Sequence, residues 1–376
     1  MTVEIQGFAQ PPFAAVKDAF ADNFAQGSEL GARFTLVRAG EVVVDLTGGF
    51  ADRAKTQAFG PQTLAPIFST TKALAAVMIA RLVEAGRLDY GQTVASLWPE
   101  FAQAGKGAIT VEQALSHQAG LSGLVEPMDP KLWLDAEAIA VKIAAAAPLW
   151  PPGTASGYHP ATFGPIAAEI FRRAEGRTIG RALREDLAEP LGLDLWIGLP
   201  DAEHHRVAEV RRPNGPADFG PLNPATRAAF LTRWAQAGGV SEAEARRAEL
   251  PAANGHATAL ALARLAGALA NDGWLDGETV LAPALIAEMA RARICGPDMI
   301  LPFDLCWGAG VLRNDPVMIW GPGRATFGHA GWGGSCLFVD PERKLGGAYV
   351  MNRQSTALIG DPRARRLIEA AYAALA

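Results

Sequence analysis

The segment Phe68-Ser69-Thr70-Thr71-Lys72-Ala73-Leu74-Ala75-Ala76-Val77-Met78-Ile79-Ala80 places a serine and a lysine three residues apart at the start of an apolar run. Apolar residues on every face of a helix predict that the helix is buried. Positions i and i+3 share one face, so we expect the Ser69 hydroxyl and the Lys72 amine to be neighbours. The free N–H groups and partial positive charge of a helix start favour a serine alkoxide and any oxyanion formed on a substrate.

The pattern Ser-x-x-Lys is weak evidence when it stands alone. The alternative explanation is a helix N-cap serine followed by a solvated lysine. However, a lysine one turn into an otherwise apolar helix is difficult to solvate, so Lys72 must either be paired or have a lowered pKa. A perturbed ionisable group of this kind favours a functional site.

Composition limits the classes of protein to be considered. The chain has 376 residues, 49% hydrophobic and 19% charged, which is enough for a large core in one domain or two. A net charge of -5 gives no support for nucleic-acid binding or for an anionic membrane surface. The N-terminus lacks the pattern of a secretory signal, and no apolar run approaches the length of about 18 residues that spans a membrane. We therefore expect a cytoplasmic protein.

Metal-binding patterns are not found in the sequence. Three cysteines, Cys295, Cys306 and Cys336, are too few and too irregularly spaced to predict a disulfide framework or a zinc site. The six histidines form no His-Glu-x-x-His pattern, and His204-His205 is interpreted as an exposed loop pair. We expect no metal ion and no other cofactor.

Secondary-structure signals divide the chain into three parts. A helix over 12–26 precedes a hairpin with strands at 34–38 and 42–46. Alanine-rich helices follow between about residues 95 and 290, with candidates at 136–147, 165–174, 179–188, 225–235 and 258–270. A period of two then returns in the candidate strands 308–313, 325–328, 335–339 and 346–351, before a terminal helix over 363–374.

Strands at both ends with helices between them predict an α+β fold. We expect one antiparallel sheet built from both chain ends and flanked by helices, with an inserted all-helical subdomain. The predicted sheet subdomain comprises residues 1–95 and 290–376, the inserted helical subdomain comprises 96–289, and the active site lies between them.

A serine–lysine pair needs a further group to manage protons. Tyr158 is the best candidate of the four tyrosines, because it lies in the irregular segment Pro151-Pro152-Gly153-Thr154-Ala155-Ser156-Gly157-Tyr158-His159-Pro160, and binding residues concentrate in such loops. The other three, Tyr90, Tyr349 and Tyr372, are predicted to be structural. Ser116-His117 is not a nucleophile–base pair, because adjacent residues of a helix do not face each other.

An oxyanion hole is the other requirement of this chemistry. The segment Phe327-Gly328-His329-Ala330-Gly331-Trp332-Gly333-Gly334-Ser335 is the candidate, because a strand with so many glycines usually marks the close approach of a ligand or another backbone. The alternative is a glycine-rich bulge on an edge strand.

Taken together, these motifs resemble the serine β-lactamase and penicillin-binding-protein superfamily, specifically the class C β-lactamase-like branch that includes the family VIII carboxylesterases. The resemblance covers roughly residues 10–375. It rests on Ser69-Thr70-Thr71-Lys72, Ser116-His117-Gln118-Ala119-Gly120-Leu121, Tyr158 after Pro-Pro-Gly-Thr, Pro190-Leu191-Gly192-Leu193 and His329-Ala330-Gly331-Trp332-Gly333-Gly334.

The resemblance implies a β-lactamase-like fold and a role for each motif. Ser69 would be the acylated nucleophile, and Lys72 with Tyr158 would serve as general base and acid. Backbone N–H groups of Ser69 and Trp332 would form the oxyanion hole. The substrate-binding wall would consist of His329, Ala330, Gly331 and Gly333.

Two departures from the family pattern bear on the substrate. The family's Tyr-x-Asn becomes Tyr158-His159-Pro160, and Pro160 has no side-chain amide. The family's Lys-Thr-Gly becomes His329-Ala330-Gly331, which replaces a permanent charge by a group charged only below an ordinary pKa of about 6.5. Both changes weaken recognition of an anionic substrate and favour neutral esters.

We therefore expect a serine carboxylesterase for short-chain or arylalkyl esters, with a small-molecule ester as its partner. The alternatives on the same fold are a β-lactamase, a D-alanyl peptidase, an amide hydrolase or an acyltransferase. A catalytically silent binding module is a further alternative. The absence of a Gly-x-Ser-x-Gly elbow argues against an α/β-hydrolase. Candidates for an apolar pocket, or else for the core, are Trp133, Trp150, Trp307 and Trp320. The oligomeric state and the physiological substrate stay open.

Overall fold

A nine-stranded antiparallel sheet is the largest element of the computed structural model, which describes residues 3–375. The strand order is β1 (Ile5–Ala9), β3 (Glu41–Gly49), β2 (Gly31–Arg38), β14 (Leu345–Met351), β13 (Cys336–Asp340), β12 (Phe327–Ala330), β11 (Leu312–Arg313), β10 (Asp304–Trp307) and β9 (Ile294–Pro297). Strands from the two chain ends meet where β2 pairs with β14. The prediction of one antiparallel sheet built from both ends is confirmed.

Shorter strands lie along the chain between β3 and β9 and form two separate small sheets. A three-stranded sheet has the order β4 (Ala65–Phe68), β6 (Gly255–Ala257) and β5 (Leu195–Trp196), and a hairpin consists of β7 (Trp274–Leu275) and β8 (Glu278–Thr279). The three-stranded sheet was not predicted from the sequence, because its strands are short and come from distant parts of the chain.

Twelve α-helices are present in residues 3–375. They are α1 (Ala14–Ala25), α2 (Thr71–Glu84), α3 (Val94–Leu97), α4 (Val111–Leu115), α5 (Ala136–Ala145), α6 (Phe163–Glu175), α7 (Ile179–Leu183), α8 (Pro224–Phe230), α9 (Glu242–Arg247), α10 (Ala259–Ala270), α11 (Pro283–Ala290) and α12 (Pro362–Ala373). Two α-helices end earlier than predicted. Helix α8 stops at Phe230. Helix α7 stops at Leu183, and the chain continues from there as a π-helical turn over Arg184–Ala188. The predicted strand at 308–313 is reduced to β11.

Both faces of the central strands are buried, because helices cover each side of the sheet there. Ala348 and Val350 of β14 face the core that contains α2 and α10, whereas Tyr349 and Met351 face the core that contains α1 and α12. Successive side chains of a strand point to opposite faces, so a strand covered on both sides is apolar throughout. The same arrangement explains why β14 is fully buried.

Helix α10 bears on the predicted division of the chain. It lies inside the predicted helical insertion, yet it packs on β2 and β14 of the large sheet. The close approach requires glycines, since a Cβ on Gly346 would lie 2.1 Å from the backbone nitrogen of Gly267. The boundaries at residues 95 and 290 stay a prediction.

One disulfide is present, although the number and spacing of the cysteines predict none. Cys295 of β9 lies opposite Cys306 of β10, and the two are bonded, whereas Cys336 is buried and free. The pairing of two antiparallel strands brings these residues together, and cysteine spacing alone does not reveal that pairing. Every helix within residues 3–375 is too short or too polar for a membrane crossing.

Candidate active site

Ser69 lies in the turn between β4 and α2, where the chain changes direction sharply. Phe68, just before it, has a φ of 47°, a left-handed conformation that is uncommon for a residue with a side chain. Neighbouring side chains fasten this turn to other segments, since Thr71 accepts a hydrogen bond from the Gly255 N–H at 2.8 Å and Thr70 contacts the Ser335 hydroxyl at 3.2 Å. The strained turn is therefore held from two sides.

Lys72 is fully buried and its amine contacts the Ser69 hydroxyl. Its Nζ atom lies 3.2 Å from Ser69 Oγ, and it donates to the backbone carbonyls of Pro160 and Ala252, each at 2.9 Å. No carboxylate within residues 3–375 forms an ion pair with it. Burial lowers the pKa of Lys72 well below its ordinary value. The predicted contact with Ser69 is confirmed, and of the two alternatives for this lysine, an ion pair or a lowered pKa, its surroundings favour the lowered pKa.

Tyr158 reaches this pair from the loop that the sequence predicted to be irregular. The Tyr158 ring is 7% exposed, and its centre lies 4.9 Å from Lys72 Nζ. Burial raises the pKa of the phenol above its ordinary value, and the adjacent Ser69 side chain opposes that shift. The indole ring of Trp307 stacks on the phenol at 5.7 Å with an angle of 10° between the planes. Ser69, Lys72 and Tyr158 therefore form one cluster.

The other tyrosines have structural environments away from this cluster. The Tyr372 hydroxyl donates to Asp340 at 2.7 Å, and the Tyr349 hydroxyl donates to Glu29. The Tyr90 hydroxyl is buried without a partner in residues 3–375. These surroundings agree with the prediction that the three residues are structural.

Asp298 anchors the Tyr158 loop, a role that its sequence context does not reveal. One carboxylate oxygen accepts the backbone N–H groups of Tyr158 at 2.9 Å and of Ile300 and Leu301 at 3.0 Å each. The other oxygen accepts the indole N–H of Trp307 at 3.3 Å. Asp298 thus fixes both the tyrosine and the ring stacked on it. The only signal in the sequence is a lone acid after Gly296-Pro297, which is typical of many turns.

The glycine-rich segment approaches Ser69 from β12 and the turn that follows it. β12 lies between β11 and β13, so the alternative of a bulge on an edge strand is wrong. A Cβ on Gly331 would lie 2.3 Å from the carbonyl oxygen of Ile67, so only glycine allows this approach. Among the hydrogen bonds of residues 3–375, the N–H groups of Ser69 and Trp332 have no acceptor. Two unused donors at this place are suited to a developing oxyanion.

One buried guanidinium and one buried amide hold the Trp332 turn in place. Arg363 donates to the carbonyl of Gly333 at 2.7 Å, and Gln354 donates to the carbonyl of Trp332 at 3.3 Å. The guanidinium is itself paired with Glu29 and Asp361, at 3.1 and 2.9 Å. An ordered turn of this kind keeps backbone donors in a fixed direction.

Histidines near the cluster are uncharged near neutral pH. Burial and the proximity of Lys72 lower the pKa of His329 to about 3. Burial also lowers the pKa of His159 to about 3, and its ring accepts the Leu121 N–H at 3.0 Å.

Pro160 stands where the family pattern has an asparagine. It has no side-chain amide, but its backbone carbonyl accepts a hydrogen bond from Lys72.

A cavity of about 50 Å³ opens above the serine. It is lined by Ser69, Tyr158, Pro160, Phe230, Leu301, Trp307, Leu312, His329, Ala330, Trp332, Leu358 and Ile359. Gly331 and Gly333 do not line it, although they shape the turn beside it. Of the four tryptophans singled out in the sequence, Trp307 lines this cavity, whereas Trp133, Trp150 and Trp320 are buried elsewhere.

Comparison with known proteins gives one consistent result. The Beta-lactamase family model matches residues 16–372. The esterase/beta-lactamase LipL of Mycobacterium tuberculosis (strain ATCC 25618 / H37Rv) is 37% identical over 368 residues, which cover 94% of this chain and 84% of LipL.

Solved structures agree with this result. A penicillin-binding-protein homologue from Caulobacter crescentus is 60% identical with a TM-score of 0.97, over 99% of this chain and 100% of that one. A family VIII carboxylesterase is 41% identical with a TM-score of 0.92, over the same shares of the two chains. The chain belongs to the Beta-lactamase family.

Proposed function

We propose that this protein is a serine hydrolase of carboxylic esters, with Ser69 as the acylated nucleophile and Lys72 and Tyr158 as the proton-transferring groups. The observation that supports the proposal best is the 3.2 Å contact between Ser69 Oγ and the buried amine of Lys72. An amine whose pKa is lowered by burial accepts the serine proton at a lower pH than an ordinary lysine does. The esterase names of two relatives support the choice of esters.

Acylation follows from this arrangement. Ser69 Oγ attacks the ester carbonyl carbon while its proton passes to Lys72 Nζ. The carbonyl electrons move to oxygen, and the resulting oxyanion accepts the N–H groups of Ser69 and Trp332. The oxyanion then collapses, and the leaving alcohol receives the proton through the Tyr158 hydroxyl. Deacylation repeats these steps with water, and Ser69 is regenerated.

The substrate end near the scissile bond is proposed to be small and neutral. The cavity above Ser69 measures about 50 Å³, which suits a short acyl or alcohol portion. His329, at the position of the family's charged lysine, is uncharged near neutral pH. The reacting residues come from both predicted subdomains, because Ser69 and His329 lie in the sheet part and Tyr158 lies in the helical part.

A paired substrate panel tests the proposal. We expect hydrolysis of para-nitrophenyl esters and weak or no turnover of nitrocefin. Ser69→Ala should abolish ester hydrolysis, and retention of more than about a tenth of the rate would reject Ser69 as the nucleophile. Faster turnover of nitrocefin than of any ester would favour the β-lactamase alternative. Failure of a fluorophosphonate probe to label Ser69 would favour the silent binding module.

A further inference from the structure

A second and much larger cavity adjoins the candidate active site. It has a volume of about 1030 Å³, compared with about 50 Å³ for the cavity above Ser69. The two walls touch at two places. Phe68 lines the large cavity, and the next residue, Ser69, lines the small one. Gln354 lines the large cavity, and its amide donates to the carbonyl of Trp332, which lines the small one.

The large cavity is strongly basic, although the chain as a whole has a net charge of -5. Its lining contains five cationic side chains and one carboxylate. The cations are Arg53, Lys55, Arg211, Arg212 and Arg246, and the carboxylate is Glu242. Glu242 is already paired with Arg246 at 3.0 Å. The other cations therefore have no carboxylate in the lining to balance them. We refer to this cavity as the basic groove.

Three of these cations are available to a ligand. The side chains of Lys55, Arg211 and Arg212 make no ion pair and no hydrogen bond within residues 3–375. The backbone of Arg211 is nevertheless held, because its N–H donates to the Asn352 carbonyl at 2.7 Å and its carbonyl accepts the Gln354 N–H at 2.9 Å. The Arg211 side chain therefore belongs to a fixed segment, and Gln354 links that segment to the turn that contains Trp332.

A buried histidine adds an unused polar group to the same wall. His256 of β6 is 3% exposed and lines the basic groove. Its Nδ1 atom has no hydrogen-bonding partner within residues 3–375. Buried polar groups are nearly always paired, with protein, water or a ligand. An unpaired ring nitrogen in the same lining as unpaired guanidinium groups indicates a wall suited to a polar ligand rather than a solvated surface alone.

We propose that the basic groove binds a carboxylate on the substrate, several bonds away from the scissile ester. The inference rests on the proposed esterase function and narrows its substrate class to esters that bear a remote carboxylate. Guanidinium groups favour carboxylates through paired N–H donors. The expectation of neutral esters came from the wall at His329, and the basic groove shares no residue with that wall. The neutral reacting end of the substrate therefore occupies the cavity above Ser69, and its anionic end occupies the basic groove.

Matched pairs of substrates test this inference. One pair places the carboxylate on the acyl side, para-nitrophenyl hydrogen adipate against para-nitrophenyl hexanoate. The other places it on the alcohol side, para-acetoxybenzoate against para-acetoxybenzamide. For each pair, the ratio of kcat/KM for the anionic ester to that for the neutral ester is measured after subtraction of spontaneous hydrolysis. For at least one pair, we expect this ratio to exceed the ratio of the spontaneous hydrolysis rates of the same two esters. Added salt should lower the enzymatic ratio, because it screens the attraction between charges.

The double variant Arg211→Gln/Arg212→Gln is expected to lower that ratio by about 3- to 10-fold, as befits exposed charge pairs. The double variant Lys17→Gln/Arg38→Gln removes the same charge from exposed positions outside the groove, and it should leave the ratio unchanged. An unchanged ratio in the arginine variant for both pairs overturns the inference.

A binding measurement separates this inference from the esterase proposal. Calorimetric titration of the Ser69→Ala protein with para-nitrophenyl hydrogen adipate requires no turnover. Binding that is weakened by Arg211→Gln/Arg212→Gln, and not by the control pair, supports the basic groove even if no ester is hydrolysed. Equal binding by the Ser69→Ala protein, by its Arg211→Gln/Arg212→Gln derivative and by its control derivative contradicts the inference.

Discussion

The Nζ atom of Lys72 lies 4.9 Å from the centre of the Tyr158 ring, and burial moves the pKa values of the two groups in opposite directions. It lowers the pKa of the amine and raises that of the phenol, so both groups favour their uncharged forms. The resemblance to the family assigns the roles of general base and acid to these two groups together. The surroundings instead favour Lys72 as the first proton acceptor and Tyr158 as the group that passes the proton on.

The pH dependence of ester hydrolysis should reflect this assignment. A base acts in its deprotonated form, so activity is lost as pH falls through the pKa of Lys72, which lies well below its ordinary value of 10.5. We expect kcat/KM to reach its maximum at a pH well below 10.5, and Lys72→Met to reduce it by about 10²- to 10⁴-fold. A rate profile between pH 5 and 10.5 measures this. A profile that rises only near the ordinary lysine pKa would contradict the assignment.

Loss of the Tyr158 hydroxyl should slow turnover without disturbing the fold. Tyr158→Phe keeps the ring that stacks on Trp307 and removes the group proposed to transfer the proton. We expect kcat to fall by about 10²-fold or more. Steady-state kinetics with a para-nitrophenyl ester, with circular dichroism as the control for folding, measures the effect. A rate close to that of the parent protein would mean that another residue handles the proton.

Asp298 is expected to act through Tyr158. Asp298→Asn keeps an oxygen for the backbone N–H groups but turns an amide NH₂ toward the indole N–H of Trp307, so one hydrogen bond is lost. We expect a loss of about 1–3 kcal/mol in the free energy of unfolding and a fall of about 10-fold in kcat with little change in KM.

A double-mutant cycle distinguishes positioning from general destabilisation. If Asp298 acts by placing the Tyr158 hydroxyl, Asp298→Asn should cost little further activity in the Tyr158→Phe protein. Independent, fully additive losses in the double variant would show that Asp298 has no part in placing that hydroxyl.

His329 should make the fold sensitive to acid. Its pKa is about 3 in the folded protein and about 6.5 when unfolded, so the unfolded state binds more protons between these values. Stability therefore falls as pH decreases from about 6.5 toward 3. We expect His329→Ala to have a Tm that depends less steeply on pH in this range. Thermal scans of both proteins measure this, and parallel curves would show that His329 is already charged in the folded state.

Much of the fold and the reactive cluster could be predicted because the signals are local. The apolar run of β14 and the apolar faces of α2 follow directly from residue types, and Ser69 and Lys72 meet because they are one turn apart. Tyr158 was placed correctly because its loop is rich in proline and glycine. These features depend on short-range geometry.

The features that were missed depend on contacts between distant segments. The bond between Cys295 and Cys306 requires the pairing of β9 with β10, and the role of Asp298 requires a loop about 140 residues away. Pro160 contacts Lys72 through its backbone carbonyl, so the identity of its side chain does not predict this contact. Backbone donors and acceptors look alike in a sequence, and only the folded chain shows which of them converge.

Trapping the acyl-enzyme tests the central claim most directly. The protein is mixed with para-nitrophenyl hexanoate, quenched with acid within one turnover, digested and analysed by mass spectrometry, with Tyr158→Phe included to slow deacylation. We predict one hexanoyl group on the peptide that contains Ser69 and none on the Ser69→Ala protein. A hexanoyl group on a different residue, or full hydrolysis by Ser69→Ala, would contradict the account.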